Sequence, residues 1–280
     1  MPSFDTPEPI SATVHVGAGS LRITAGDRVD TVVEVRPHNP KRDKDVRAAE
    51  QTEVRYASGV LTVRTKERRM IGPSGAVDVA VELPMDSRVE VTGSWTQVLG
   101  EGRLGEVDVR TSSGDVRLDT SGPLQLRASH GSITVDRVVG TAEIATSFGG
   151  LRLGTLDGPA VLKNSHGTTT VGAAIGDLRV RGAHGDIDIA RAEGSVTATV
   201  AHGTLRVAEV ACGTVSLENS YGGIEVGIRE GTAAWLDVRS ERGQVRNTLA
   251  DSEAPEETEN TVKIHARTRW GNIDVRRART

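Results

Sequence analysis

The stretch Ser-His-Gly-Ser-Ile-Thr-Val at residues 129–135 decides the fold, because it recurs along the chain. It returns as Ser-His-Gly-Thr-Thr-Thr-Val at 165–171, Ala-His-Gly-Asp-Ile-Asp-Ile at 183–189, Ala-His-Gly-Thr-Leu-Arg-Val at 201–207 and Ser-Tyr-Gly-Gly-Ile-Glu-Val at 220–226. The glycines that anchor the repeat are spaced by 17, 18, 18, 18, 18, 19, 21 and 28 residues: Gly114, Gly131, Gly149, Gly167, Gly185, Gly203, Gly222, Gly243 and Gly271. A fixed period of this length is typical of a solenoid, in which each repeat packs on its neighbours.

Apolar and polar residues alternate on both sides of each anchoring glycine. Counted from Gly203, the apolar side chains lie at offsets −7, −5, +2, +4 and +7, and the same offsets hold around Gly131 and Gly149. An apolar residue at every second position is typical of a β-strand with one buried face, because successive side chains of a strand point to opposite faces. A single coil cannot bury that face, whereas stacked coils can, because each strand pairs with its copy about 4.8 Å away. The sequence therefore predicts an all-β fold, a single β-solenoid (β-helix) with coils of about 18 residues. The residues at offset −5 should form one buried column: Leu126, Ile144, Leu162, Val180, Ala198 and Leu217.

The repeat weakens towards the N-terminus. Residues 91–99 align with 109–117, but Thr96 stands where the glycine should be. We therefore predict a β-rich N-terminal cap or irregular coils over 1–90, and β-helix repeats over 91–280. A cap is expected because an open solenoid end exposes unpaired strand edges.

Two polar segments interrupt the apolar pattern. The stretch 37–50, with five charged residues at 41–45, predicts a charged loop or a short helix. The acidic, polar stretch near 250–260 predicts a loop inserted before the last coil.

Composition narrows the function classes. The net charge is only −4, with both signs interspersed, so we expect no nucleic-acid partner. No apolar run approaches the length of a transmembrane helix, and residues 1–10 lack the apolar segment of a secretory signal, so we expect no membrane insertion and a cytoplasmic location. The chain has one cysteine, Cys212, and so cannot form an internal disulfide.

Val-Asp-Val-Ala-Val-Glu-Leu-Pro at 77–84 precedes serial Ser-x-Gly-x-(Ile/Val)-x-(Val/Leu) units that run to the C-terminus. In these features the chain resembles the bacterial adhesin-like β-strand-repeat family of unknown function. The N-terminal opening and the stretch Gly-Ile-Arg-Glu-Gly-Thr-Ala-Ala-Trp-Leu-Asp-Val at 227–238 resemble its signal-less actinobacterial branch. The resemblance implies the repeat fold and, by association, adhesion. The resemblance implies no catalytic residue in this chain.

The residue just before each anchoring glycine is usually planar. This position gives our candidate binding stripe: Trp95, His130, Phe148, His166, His184, His202, Tyr221 and Trp270. Ser113 and Arg242 occupy the same position in other coils. Such a stripe could bind a sugar chain or a peptide. Alternatively, its members stack on one another and shield the turn, which is a structural role.

Three of these histidines, His166, His184 and His202, fall in successive coils. Neighbouring imidazoles could share a metal ion, but a third ligand from the same column would lie too far away for one tetrahedral ion. No cysteine or carboxylate recurs at that offset. We therefore predict no metal site and no cofactor, and leave open a response of the imidazoles to pH.

Carboxylates are the remaining candidates for catalysis. Asp186 and Asp188 resemble the strand carboxylates of polysaccharide-cleaving β-helices, but the short spacings between coils leave no loops to build a cleft. The position three residues after each glycine alternates in charge between successive coils, which predicts a cross-strand ladder: Asp188, Arg206, Glu225, Arg246 and Asp274. We thus expect no catalytic residues and no enzymatic activity.

These patterns together indicate a non-enzymatic, adhesin-like β-solenoid that acts as an interaction or scaffold protein. Its partner would be an unidentified protein or glycan, and homo-oligomers are conceivable from the repeat. Two alternatives stay open: a carbohydrate-binding or carbohydrate-active β-helix protein, and a scaffold that self-assembles into filaments.

Overall fold

A computed structural model of the chain describes residues 2–66, 75–249 and 260–278. It divides into two compact units, residues 1–139 and 140–280. Both consist almost entirely of strands, and each is described below in turn. The all-β, solenoid fold predicted from the repeat is confirmed. The predicted loop at 250–260 lies outside the described residues, apart from Asn260.

The second unit is built from pairs of short strands, one on each side of an anchoring glycine. The strands are β12 (Ala142–Phe148), β13 (Leu151–Leu156), β14 (Ala160–His166), β15 (Thr169–Ala174), β16 (Leu178–His184), β17 (Ile187–Ala192), β18 (Val196–His202), β19 (Leu205–Val210), β20 (Gly213–Tyr221), β21 (Ile224–Ile228), β22 (Thr232–Arg242), β23 (Val245–Asn247), β24 (Asn260–Trp270) and β25 (Ile273–Arg277). Each strand pairs in parallel with the strand one coil away, so equivalent residues lie side by side.

The interior of this unit is a set of apolar columns. Leu162 lies directly opposite Ile144 on one side and Val180 on the other, and all three are fully buried. The column continues through Ala198 and Leu217. In the first unit Leu126 is equally buried and lies opposite Val109. The residues five positions before the anchoring glycines thus pair with one another and are buried, as the sequence predicts.

The last two coils do not stack in chain order. β20 and β21 pair with β24 and β25, and the earlier strands β22 and β23 lie on the far side of that coil. The predicted alternation of charge between successive coils is therefore wrong at this end. Glu225 faces Asp274, not Arg246, because the coil that carries Asp274 occupies the intervening place.

The first unit joins solenoid coils to antiparallel strands. Its elements are β1 (Ser3–Asp5), β2 (Ser11–Gly26), β3 (Asp30–Pro37), α1 (Asp43–Glu50), β4 (Glu53–Ala57), β5 (Val60–Arg64), β6 (Val77–Pro84), β7 (Arg88–Leu104), β8 (Val107–Ser113), β9 (Val116–Ser121), β10 (Leu124–His130) and β11 (Ile133–Val138). α1 lies within the stretch 37–50, for which the sequence predicts a charged loop or a short helix, and the helix is the observed form. From β7 to β11 the strands pair in parallel, with Trp95 opposite Ser113 and Ser113 opposite His130.

At the start of this unit, too, the strands do not stack in the order of the sequence. β2 lies between β7 on one side and β5 with β6 on the other. Antiparallel strands then cover the outer pair, since β4 pairs with β5 and β3 pairs with β6. The predicted boundary after residue 90 falls within β7, and the division at that residue stays a prediction.

The anchoring glycines are required by the turn between the two strands of a coil. Gly185 has a φ of +130°, which L side chains rarely adopt. A Cβ at this position would also collide with the carbonyl oxygen of Gly167 in the neighbouring coil. The backbone thus closes tightly at each turn, and the residue just before it is directed to the outside.

Candidate functional site

The residues just before the turns of the second unit form a continuous stack of planar groups, which we call the ring column. It comprises, in spatial order, Phe148, His166, His184, His202, Tyr221 and Trp270. The parallel register places each member opposite the next, so the spacing of the rings follows the spacing of the strands.

The ring geometry is regular. Ring centroids of the first five members are 4.6 to 5.0 Å apart, with interplanar angles between 3° and 19°. Tyr221 and Trp270 are 6.3 Å apart at 19°. The Arg242 guanidinium lies 4.3 Å from the centroid of Trp270 and ends the stack with a cation–π contact. Arg242 ends the column because its coil lies beyond that of Trp270.

Stacking leaves the edges of the rings exposed and covers their faces. All six members are exposed residues, with Phe148 47% and Tyr221 48% accessible. Every interior member has a neighbour on each of its two faces. The groups presented outward are therefore imidazole nitrogens and the tyrosine hydroxyl, which can donate or accept hydrogen bonds.

The other two members of the predicted stripe lie in the first unit. Trp95 is 70% accessible, and Ser113 occupies the coil between it and His130. The serine interrupts any ring-to-ring contact between these two residues. Six of the eight predicted stripe residues thus form one stack in the second unit. Trp95 and His130 belong to the first unit.

A second exposed column runs parallel to the rings, four residues before each anchoring glycine and about 10 Å from the ring positions along the strands. It contains Lys163, Arg181, Thr199 and Glu218 in successive coils. Lys163 and Arg181 are neighbours in register, and neither forms an ion pair with another described residue. Sequence reasoning missed these two cations, although their equal offset from Gly167 and Gly185 could have revealed them.

The carboxylates singled out in the sequence have structural partners. Asp186 Oδ1 accepts a hydrogen bond from the backbone N–H of Thr204 in the next coil, at 2.7 Å. Asp188 lies 3.7 Å from Arg206 in the charge ladder. Both contacts fix one coil against the next, and neither brings a nucleophile or a second acid to the pair.

Next to the far end of the ring column is an open groove of about 330 Å³. Its lining includes Glu218, Arg239, Glu241 and Arg267, with hydroxyl groups from Ser220 and Thr268. Charges of both signs line it, which suits the binding of a polar segment. Across the part of the chain that is described, no three His, Cys, Asp or Glu side chains are grouped so as to hold a metal ion. The described ranges also contain no helix long and apolar enough to cross a membrane.

The parallel coils and their register define a β-solenoid repeat protein. The chain belongs to the Toastrack DUF4097 family, whose sequence model matches residues 13–277. The family resemblance seen in the sequence is thereby confirmed.

Two solved structures are similar to this chain. A candidate adhesin from Parabacteroides merdae is 14% identical, with 78% of this chain and 91% of that chain covered and a TM-score of 0.51. A candidate adhesin from Bacteroides fragilis is 12% identical over 98% of this chain and 95% of that chain, with a TM-score of 0.44. At these identities the first likeness shows the fold alone. Among curated proteins, none matches this chain.

Proposed function

We propose that this chain is a non-catalytic interaction protein that binds an extended partner along the ring column. The observation that carries the proposal is the run of six stacked, exposed planar groups on a single edge of the second unit. A partner that follows this edge would meet a chemically similar group at every coil.

The chemistry of the exposed edge favours hydrogen bonding over ring stacking. Sugar rings bind aromatic residues mainly through the aromatic face, and the interior members of the column have both faces covered. The edges instead present imidazole nitrogens, and Lys163 and Arg181 add two exposed cations about 10 Å away along the same strands. The partner we propose is therefore an extended peptide or glycan rich in hydrogen-bond acceptors.

The Parabacteroides merdae structure, a candidate adhesin, supports binding as the general role. The absence of catalysis belongs to the proposal and rests on Asp186 and Asp188, whose contacts are structural. A cytoplasmic location is also part of it, supported by a single cysteine that has no disulfide partner within the chain.

Array binding with a matched pair of variants tests the proposal. Phe148→Ala, His184→Ala and Tyr221→Ala together remove three planar groups, and we expect binding to a glycan or peptide array to fall at least tenfold. The control triple carries Val161→Ala, Thr197→Ala and Ser216→Ala, which change outward-facing positions of the same sheet away from the column. It should bind like the wild type.

The structural interpretation of the column makes the opposite prediction. If the rings serve only to hold the turns, the first triple variant melts at a lower temperature and the wild type binds nothing on the array. A polysaccharide, ester or phosphoester hydrolysis activity that Asp186→Asn or Asp188→Asn abolishes would instead contradict the non-catalytic role.

A further inference from the structure

The outer strand of the second unit is paired along one side only. β22 pairs in parallel with β24, and no other described strand pairs with it. In a parallel sheet the backbone N–H and C=O groups of such a strand point alternately towards its partner and away from it. The outer side of β22 therefore presents hydrogen-bonding groups along 11 residues, Thr232–Arg242.

The apolar columns of the solenoid are open at the same strand. Leu236 and Val238 continue the columns of Ile264 and Ala266, which are fully buried, yet both remain partly exposed. On the other side of the turn Val245 is 47% accessible, although its neighbour Ile273 is fully buried. Trp235 is 75% accessible, the most exposed large apolar residue described. These side chains lack the cover that one further coil would provide.

In the first unit, by contrast, the outer parallel strands are covered. β5 and β6 are each covered by an antiparallel strand of the same chain, β4 and β3. Long, uncovered edges are ready templates for pairing with another chain, and proteins usually block them. The contrast indicates that the edge of β22 has a partner outside the described residues.

We propose that β22 pairs antiparallel with β22 of a second copy of this chain, which closes a twofold dimer. The outward-facing residues are self-complementary in charge: Asp237, Arg239 and Glu241 alternate in sign. When Val238 faces Val238 of the second copy, Asp237 of each copy lies opposite Arg239 of the other. The same register places Leu236 and Val238 of both copies on the inner face, where they continue the core.

The charges of this strand fit that arrangement. Asp237 contacts His265 Nδ1 at 3.3 Å and Arg267 at 3.4 Å within its own chain, so it is surrounded by cationic or polar groups on the covered side. Arg239 and Glu241 form no ion pair with another described residue. Registers that face Arg239 with Arg239, or Asp237 with Asp237, bring like charges together and are disfavoured. An isologous contact of this kind closes on itself and does not grow into a filament.

Sedimentation equilibrium of the full chain tests the dimer at concentrations up to about 100 μM, above the micromolar Kd of weak interfaces. The wild type should sediment at twice the monomer mass of 29.6 kDa. Arg239→Asp should give monomers, because Asp237 then meets an aspartate. The double variant Asp237→Arg with Arg239→Asp should restore the dimer. Any of three results overturns the proposal. They are a monomeric wild type, a dimer that Arg239→Asp leaves unchanged, and a folded double variant that stays monomeric.

Cross-linking tests the register. In a Cys212→Ser background, Val238→Cys should form a disulfide between two chains, because the two copies of this residue face each other. Ser240→Cys is the control: its copies would lie four residues out of register, about 14 Å along the strand, and should not cross-link. Efficient cross-linking of Ser240→Cys alone would overturn the register. Slow amide exchange along the outer edge of β22 in a monomeric wild type would show that the chain covers this edge itself, and would overturn the dimer.

Discussion

Glu225 and Asp274 lie directly opposite each other in the parallel pairing of β21 with β25. Two carboxylates in this position would destabilise the sheet if they had no other partners. Arg276 lies 3.5 Å from Glu225, and Arg246 lies 3.9 Å from Asp274 on the outer side. The local cations thus offset a like-charge contact that exists only because the last coil is inserted between two earlier ones.

Disulfide trapping should report this coil order. In a Cys212→Ser background, Glu225→Cys with Asp274→Cys places the two Cα atoms about 4.8 Å apart, within the range that a disulfide spans. We expect this pair to oxidise readily within a single chain, as measured by mass spectrometry of peptides. Glu225→Cys with Arg246→Cys is the matched control, since those residues lie two coils apart. Preferential oxidation of the control pair would show that the coils stack in chain order.

The order of the coils could not be predicted from the sequence, for a physical reason. The repeat fixes which residues of a coil face inward, because alternation around each glycine is local. It does not fix which coil a given strand pairs with, because equivalent strands offer the same apolar columns. The 28-residue spacing between Gly243 and Gly271 signalled an irregularity there but not its form. The same limit applied to β2, which lies between β7 and the later strands β5 and β6.

Leu162→Asp should severely destabilise the second unit. The side chain is fully buried between Ile144 and Val180, so the substitution would place a carboxylate between coils without a partner. We expect a loss of about 4 kcal/mol in urea unfolding. Lys163→Asp, one residue further on and exposed, should change stability by less than about 0.5 kcal/mol. Similar losses in the two variants would contradict the assigned register.

Gly185→Ala should be costly as well, through the backbone. The positive φ and the approach of the Gly167 carbonyl leave no room for a methyl group, and we expect a loss of about 2–3 kcal/mol. Gly150→Ala is the control, because no atom lies within 4 Å of its added Cβ and its φ is not positive. Thermal melts of the two variants measure the difference. A Gly185→Ala protein that melts like the control would show that the turn is loose.

The candidate site was predicted in part. The position before each glycine located the ring column correctly, since one period carries every turn residue to the same edge. The sequence left open whether His166, His184 and His202 stack on one another or face a ligand, because side-chain rotamers as well as spacing decide whether rings stack. The contact of Arg242 with Trp270 at the end of the ring column could not be predicted either, because it depends on the order in which the coils stack.

The stability of the first unit should depend on pH through Asp78. Burial raises the pKa of this carboxyl, but hydrogen bonds from His38 at 2.9 Å and Ser20 at 2.7 Å outweigh it and hold the pKa below its usual value. A carboxyl with a lowered folded-state pKa stabilises the fold above its unfolded pKa of about 3.9, and loses that effect as the pH falls through the folded value.

Asp78→Asn should therefore lower the melting temperature near neutral pH. The difference from the wild type should shrink steadily below about pH 4. Melts of both proteins across this range provide the measurement. A difference that is the same at neutral and acidic pH would mean that the charge of Asp78 contributes nothing.

The central claim, that the exposed edge of the ring column recognises a partner, is tested most directly by NMR. The protein is labelled with ¹³C in its histidine rings and titrated with an extended peptide or glycan selected on the array. The account predicts saturable shifts of the ring signals of His166, His184 and His202, with His265 on the outer face of β24 unchanged as the internal control. Saturable binding that leaves those three signals in place would contradict it.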